Sequence, residues 1–168
     1  MPLHVFTAVE RLWGVAALAL LSVGVALVSQ YQYDMRPCPW CILQRLIFLV
    51  IAAVCIVAAL VRSRPLRIGL SGLGVLLCLA GMAAAIYQKL VASKLESCAL
   101  TLADRILNAL GVEAWWPWLL AVQGSCADAA VDLLGLPYEL WSLALFGVLG
   151  VLLVTTVGRL LGRHAVGA

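Results

Sequence analysis

Two cysteines separated by two residues carry the most specific chemistry in this sequence. Cys38 and Cys41 lie within residues 37–41, Pro-Cys-Pro-Trp-Cys, where a short polar link meets a long apolar run. Cys38 suits a helix N-cap, and Pro39 suits the first helical position, where its missing N–H costs nothing. Cys41 then falls in the first turn, where unpaired N–H groups and the positive dipole end favour a thiolate. The pair is therefore a candidate for thiol–disulfide exchange.

A cation and an amide flank this pair. Arg45 follows Cys41 by one helical turn on the same face, about 6 Å along the axis. A charge just inside a membrane helix is costly, so we interpret Arg45 as a functional residue; the alternative is an arginine that snorkels back to the interface. Gln30 ends the preceding apolar run, where it could face the bundle and hydrogen-bond a bound head group, or anchor the interface.

Cys98 and Cys126 form a second candidate pair in a long loop. Structural disulfides are one interpretation, and closing the loop between these two would stabilise by roughly 3–4 kcal/mol. A zinc site needs two close cysteine pairs, and only one pair is close here, so we predict no metal site. Redox exchange needs an accessible disulfide, a second disulfide within reach and a low-pKa thiolate, which Cys41 could supply.

The composition is that of an integral membrane protein. The chain has 168 residues, of which 65% are hydrophobic and 11% charged, with a mean hydropathy of +1.09. Soluble domains are about 45–50% apolar and about 25% charged. No basic face with interleaved aromatic residues is present in the sequence, so we predict no nucleic-acid binding.

Four apolar runs, at about residues 12–29, 42–61, 66–88 and 140–160, are each long enough to cross about 30 Å of hydrocarbon. Helices satisfy their own backbone hydrogen bonds in lipid, and the runs lack the alternation of barrel strands. The first run is too long for a signal peptide and lacks a cleavage site. The sequence therefore predicts an all-α membrane protein, a single four-helix bundle over residues 1–168.

The basic residues predict the orientation. One side of the runs carries most of the arginines, namely Arg11, Arg62, Arg64, Arg67, Arg159 and Arg163. The positive-inside rule puts this side and both termini in the cytoplasm. The loops at about residues 30–41 and 89–139, which hold Cys38, Cys41, Cys98 and Cys126, then face outward, where thiols can stay oxidised.

The second outward loop is long for a connection within a bundle, and long loops are usually functional or disordered. It contains an amphipathic stretch at residues 100–110, followed by Trp115, Trp116 and Trp118. Such a segment is expected to lie in the headgroup plane, and it could also cover the outer mouth of the bundle. Cys55 and Cys78 lie in mid-run among apolar residues, and we interpret both as packing residues.

A dithiol at a membrane surface must pass its electrons to an acceptor. The sequence offers no ligand set for haem or an iron–sulfur cluster. We therefore hypothesise a lipid-soluble quinone, whose carbonyl could accept a hydrogen bond from the Arg45 guanidinium.

Together these features resemble the DsbB family. The matching residues are 37–41 followed by Arg45, Gln30 before them, the paired loop cysteines, and Gly124-Ser125-Cys126 followed by Leu134-Gly135-Leu136 and Trp141. The resemblance implies a four-helix bundle with a short interfacial helix in the bacterial inner membrane. It also implies ubiquinone or menaquinone as cofactor and a DsbA-like periplasmic oxidase as partner.

The resemblance further implies a route for the electrons. Reduced DsbA attacks the Cys98–Cys126 disulfide at Cys98, and Cys126 then exchanges with Cys38. Cys41 is released as the thiolate that reacts with the quinone beside Arg45.

Two departures from the family pattern are visible. Some members have a histidine near the quinone where this chain reads Tyr87-Gln88-Lys89, and Lys89 could substitute as a donor. Pro137 also comes earlier than the family's Met-Pro.

Two other functions compete with this interpretation. One is a four-span scaffold with static outer-loop disulfides. The other is an enzyme of the vitamin K epoxide reductase type, in which the active-site pair follows the loop pair; here Cys38 and Cys41 come first.

Overall fold

The computed structural model describes residues 3–94, 101–126, 132–133 and 135–162. The elements follow one another as α1 (Leu3–Gln32), α2 (Pro39–Leu60), α3 (Arg64–Leu90), a 3-10 turn (Ala92–Lys94), α4 (Leu102–Leu110), α5 (Val112–Trp115), α6 (Pro117–Leu120), β1 (Asp132–Leu133), β2 (Leu136–Pro137) and α7 (Tyr138–Leu161). The two short strands form an antiparallel pair just before α7.

Within the described ranges, four helices are long and apolar enough to cross a membrane: Ala8–Gln32, Pro39–Leu60, Arg64–Lys94 and Tyr138–Leu161. The prediction of an all-α, four-span membrane protein is confirmed. The helices extend past the apolar runs; α1, for example, continues through Ser29 and Gln30 to Gln32.

The four long helices form a closed ring. α1 packs against α2, α2 against α3, α3 against α7, and α7 against α1. Leucines such as Leu21, Leu60 and Leu76 point outward and are more than half exposed, as expected for a lipid-facing surface. Cys55 and Cys78 are buried in the apolar core, in keeping with the packing role predicted for them.

The turn between α2 and α3 is tied down by arginine side chains. Arg67 donates from Nε to the carbonyl of Ala58 at 3.1 Å and from a terminal nitrogen to the carbonyl of Val61 at 2.6 Å. Arg64 donates from Nε to the carbonyl of Leu160 at 3.1 Å. These cations satisfy carbonyls that the ends of α2 and α7 leave unpaired, and they complement the negative helix ends.

A glycine on α3 permits the tightest contact in the core. The rings of Phe48 and Phe146 stack with centroids 4.0 Å apart and planes within 1° of parallel. A Cβ at Gly81 would lie 2.4 Å from the Phe146 ring, far inside van der Waals contact. The helix–helix approach between α3 and α7 therefore depends on the absence of a side chain at Gly81.

We expect Gly81→Ala to lower the stability of the protein by about 1–3 kcal/mol, because the stacked Phe146 ring has no room to move aside. The measurement is thermal unfolding in detergent, where Tm should fall. Gly72→Ala is the matched control on the same helix, since a Cβ there meets no described atom within 4 Å. An unchanged Tm in Gly81→Ala would contradict this packing argument.

The segment after α3 folds into three short helices. Thr101 caps α4: its Oγ1 accepts from the Asp104 N–H at 3.3 Å, and Asp104 Oδ2 accepts from the Thr101 N–H at 2.8 Å. Gly111, with a φ of +61°, ends α4, and Pro117 starts α6. The predicted single interfacial helix is thus divided, because these two residues interrupt it.

The surface of this segment separates tryptophans from leucines. Trp115, Trp116 and Trp118 are more than half exposed, whereas Leu119 and Leu120 are buried against the bundle. The exposed aromatic rings suit the headgroup region, and the buried leucines cover the end of the bundle near Arg45. Both expectations for this loop, an interfacial segment and a cover, are therefore compatible with the fold.

Candidate functional site

The start of α2 holds the two cysteines as the sequence predicts. Cys38 is the N-cap with extended backbone (φ −86°, ψ 169°), and Pro39 occupies the first turn. The Cys38 Sγ accepts from the Cys41 backbone N–H at 3.4 Å, and the two Sγ atoms are 3.1 Å apart. Cys38 is fully buried, whereas Cys41 is partly exposed.

A third cysteine joins this pair from the far end of the long loop. The backbone N–H groups of Gln123 and Gly124 donate to the carbonyl of Pro37 at 3.0 and 3.3 Å, which docks the loop beside α2. Cys126, buried a few residues on, accepts hydrogen bonds from the Cys38 thiol and the Trp40 backbone N–H. Three predicted cysteines thus lie together, while Cys98 lies outside the described residues.

Gly124 is the residue that allows this docking. A Cβ at Gly124 would lie 3.1 Å from the Cβ of Arg36 and 3.4 Å from its carbonyl oxygen. Glycine therefore allows the two backbones to approach closely, whereas a larger residue at position 124 would displace the segment at Arg36.

The hydrogen bonds divide the charge unequally between Cys38 and Cys126. Hydrogen bonds to Cys126 and Cys41, together with burial, raise the pKa of the Cys38 thiol. The hydrogen bond from Cys38, and a smaller one from the Trp40 N–H, lower the pKa of Cys126 against the opposing effect of burial. Of these two sulfurs, Cys126 is the one on which these hydrogen bonds favour a thiolate.

This charge distribution predicts how Cys126 reacts as pH changes. A lowered pKa keeps Cys126 ionised to lower pH, so its alkylation should decline only below the usual cysteine range. In Cys38→Ala the main donor is lost, and the midpoint of the alkylation profile should move to higher pH. Alkylation of the Cys126 peptide in reduced protein, followed by mass spectrometry, measures the shift. An unmoved midpoint would show that Cys38 does not hold the charge on Cys126.

On its other side, Cys41 meets a chain of two amides. Gln88 Nε2 of α3 donates to the Cys41 Sγ at 3.3 Å, and Gln44 Nε2 donates to Gln88 Oε1 at 2.6 Å. Both glutamines are buried. Gln44 and Gln88 were not identified as site residues from the sequence. Each is a polar amide inside an apolar run, and that pattern could have indicated them.

Arg45 stays inside the bundle. Its side chain is 5% exposed, and one terminal nitrogen donates to Gln30 Oε1 at 3.0 Å and to the Leu119 carbonyl at 2.5 Å. Its Nε is buried and has no hydrogen-bond partner in the described part of the chain. This geometry contradicts the snorkelling alternative, and it places Gln30 against the guanidinium rather than at the interface.

A cavity of about 340 Å³ lies beside these groups, between α1, α2 and α7. Its polar lining includes Cys41, Gln44, Arg45, Gln88 and Glu139, and apolar side chains supply most of its surface. Its volume falls within the range of small-molecule sites, about 300–1,000 Å³.

The rim of the cavity is lipid-facing. Leu21 and Val25 of α1 and Trp141 of α7 line it, and these side chains are 64%, 57% and 43% exposed on the outside of the bundle. The cavity therefore opens between α1 and α7 toward the hydrocarbon region.

Lys89 does not line this cavity. It is half-buried at the end of α3, and it is the preceding residue, Gln88, that reaches Cys41. The role suggested for Lys89 stays a prediction.

Glu139 is a buried carboxyl residue at the start of α7. It lies in the first turn of this helix, and the side chain is 2% exposed. It is among the residues that line the cavity, a position that a helix-start pattern does not reveal.

Comparison with known proteins identifies the family of this chain. A family model described as "Disulfide bond formation protein DsbB" matches residues 10–156. Disulfide bond formation protein B of Herminiimonas arsenicoxydans is 35% identical over 151 residues, covering 88% of this chain and 94% of the relative. The protein of the same name from Ralstonia nicotianae is 34% identical over 146 residues, covering 86% and 91%. The chain therefore belongs to the DsbB family of membrane disulfide bond formation proteins.

Proposed function

We propose that this protein is a quinone-dependent thiol oxidase that reoxidises a DsbA-like periplasmic protein. The observation that carries the proposal is a continuous run of contacts. Cys126 meets Cys38, Cys38 meets Cys41, and Cys41 lines a lipid-facing cavity that also contains Arg45. An electron pair can move along this run by successive thiol–disulfide exchange.

The charges along the run support one direction of exchange. A Cys126 thiolate attacks the Cys38–Cys41 disulfide at Cys38, the sulfur that it already touches. The new bond is Cys38–Cys126, and the broken bond releases Cys41. The leaving Cys41 thiolate is stabilised by the Gln88 amide and by the N-terminus of α2.

The cavity fits a quinone. Its apolar walls suit a lipid-soluble ring and tail, and Arg45 Nε, which lacks a partner among the described residues, is a buried donor suited to a carbonyl oxygen. Bound ubiquinone or menaquinone supplies the two-electron acceptor that the cysteines require. Arg45 orients it, and Gln30 and the Leu119 carbonyl hold Arg45 in place.

The family resemblance supports the remaining parts of the proposal. Cys98 is the sulfur that DsbA attacks, which forms a mixed disulfide and releases Cys126. The bacterial inner membrane is the location, with both termini in the cytoplasm and the cysteine loops in the periplasm. In this orientation the three described site cysteines lie at the periplasmic end of the bundle.

The direct test is anaerobic mixing of the purified protein with reduced DsbA and either quinone. We expect one quinol formed per DsbA dithiol oxidised, followed by quinone absorbance and by thiol titration. The double variant Cys55→Ala/Cys78→Ala removes the two core thiols and should keep the parental stoichiometry. If the redox state of the disulfides does not change when quinone is added, the proposal is wrong and the static scaffold is favoured.

A further inference from the structure

A buried carboxyl group in the cavity has no assigned role. Glu139 is 2% exposed, and neither of its carboxyl oxygens has a hydrogen-bond partner among the described residues. Burial of such a group without a partner costs free energy, and native proteins seldom retain one without a functional reason. The two free oxygens are therefore available to a proton or to a bound molecule.

The position of Glu139 relates it to Cys41. Both residues line the same cavity. The charged, titratable and amide groups around this cavity come from every element that forms its polar side: Arg36 from the link before α2, Cys41, Gln44 and Arg45 from α2, Gln88 from α3, and Tyr138 from α7. Arg45 is the cation of this set that lies buried in the bundle.

A charge count restricts which of these groups can be ionised together. One guanidinium, Arg45, can balance one negative charge within the bundle. A Cys41 thiolate and a Glu139 carboxylate together would leave a net negative charge in a low-dielectric site, which is strongly disfavoured. Moving the Cys41 proton to Glu139 keeps a single negative charge opposite Arg45.

We propose that Glu139 is a proton-transfer residue, which takes the proton that Cys41 loses and delivers it to the reduced acceptor. This inference rests on the proposed function for the identity of the acceptor, a quinone. The exchange of a proton between Cys41 and Glu139 is independent of the proposed function, because it requires no quinone.

The step balances. In the fully reduced protein without DsbA, Cys41 begins as a thiol rather than as the thiolate that disulfide exchange releases. It gives its proton to the Glu139 carboxylate, and Arg45 neutralises the thiolate. The Cys38 and Cys41 sulfurs then form their disulfide and give up two electrons to the quinone. Of the two protons that complete the quinol, one comes from the Glu139 carboxyl and one from the Cys38 thiol. Glu139 returns to its carboxylate.

The first test uses protein without quinone. Infrared difference spectra between the oxidised and dithiothreitol-reduced protein should show a protonated-carboxyl band that grows on reduction and shifts in deuterium oxide. We expect the band in the parent and in Glu10→Gln, a matched change at an exposed glutamate of α1. It should be absent in Glu139→Gln, and also in Cys41→Ser, where no thiolate forms although Glu139 is intact.

A parent protein without the band, or a band that survives in Glu139→Gln, would overturn the inference. The Cys41→Ser spectrum keeps the test decisive if Glu139→Gln folds poorly, because a band that persists in Cys41→Ser is also incompatible with a proton supplied by Cys41.

The second test uses quinone in a single turnover. Glu139→Gln should slow quinol formation by about 10²-fold, as expected for loss of a proton donor, with exchange among the cysteines unchanged. If the parent shows the infrared band yet reduces no quinone, the proposed function fails while the proton exchange stands. If Glu139→Gln reduces quinone at the parental rate, proton delivery by Glu139 is disproved.

Discussion

Cys41→Ser is expected to abolish quinol formation, with a loss of at least about 10³-fold. A serine hydroxyl is not ionised near neutral pH, so the sulfur that faces the cavity has no functional replacement. The measurement is quinone absorbance with reduced DsbA as donor. In the same variant Cys38 and Cys126 remain in contact, and on the proposed route Cys38 can displace Cys98 from its disulfide with Cys126. A Cys38–Cys126 disulfide should therefore accumulate.

The trapped disulfide distinguishes this prediction from simple unfolding. Peptide mapping without reductant should find Cys38 joined to Cys126 in Cys41→Ser. Cys78→Ser, a matched change in the core of α3, should reduce quinone at the parental rate. Parental quinol formation by Cys41→Ser would remove Cys41 from the site and, with it, the proposed route.

Arg45→Met is expected to raise the KM for quinone by about 10- to 100-fold. A buried hydrogen bond to a charged donor contributes about 1.5–3 kcal/mol, which corresponds to a change of this size. Formation of the mixed disulfide at Cys98 should continue, because that reaction takes place in the outer loop. Steady-state kinetics at varied quinone, and gel analysis of the DsbA complex, measure the two effects separately.

The change at Arg45 also has a structural cost. It leaves Gln30 Oε1 and the Leu119 carbonyl without their donor, so Tm should fall as well. Arg45→Lys is the control that keeps the charge and loses the planar fork, and its KM should lie between those of the parent and Arg45→Met. An unchanged quinone KM in Arg45→Met would exclude Arg45 from acceptor binding.

Local chemistry explains which parts of this molecule could be predicted. Apolar run length predicts the four long helices, since each must cover the hydrocarbon thickness and satisfy its own backbone. Cys38 as N-cap and Pro39 in the first turn follow from residue type alone. Arg45 could be identified as a functional residue because burial of a charge in a membrane costs free energy.

Contacts between distant segments were beyond the reach of the sequence. The Gln44–Gln88–Cys41 chain depends on the rotation of α3 about its axis, which brings Gln88 rather than Lys89 to the sulfur. The meeting of Cys38 with Cys126 depends on two backbone hydrogen bonds to Pro37. The position of Glu139 in the cavity depends on how α7 packs beside α1, and spacing along one chain does not encode that arrangement.

The lipid-facing rim between α1 and α7 has a consequence for kinetics. A reactant that enters past Leu21, Val25 and Trp141 comes from the bilayer, so the quantity that sets its encounter rate is the number of molecules per unit membrane area. Adding inert phospholipid or detergent to a fixed amount of protein and quinone then slows turnover by surface dilution, while extra water leaves it unchanged when DsbA is saturating. Rates for this protein should therefore be expressed against the mole fraction of quinone in the lipid phase.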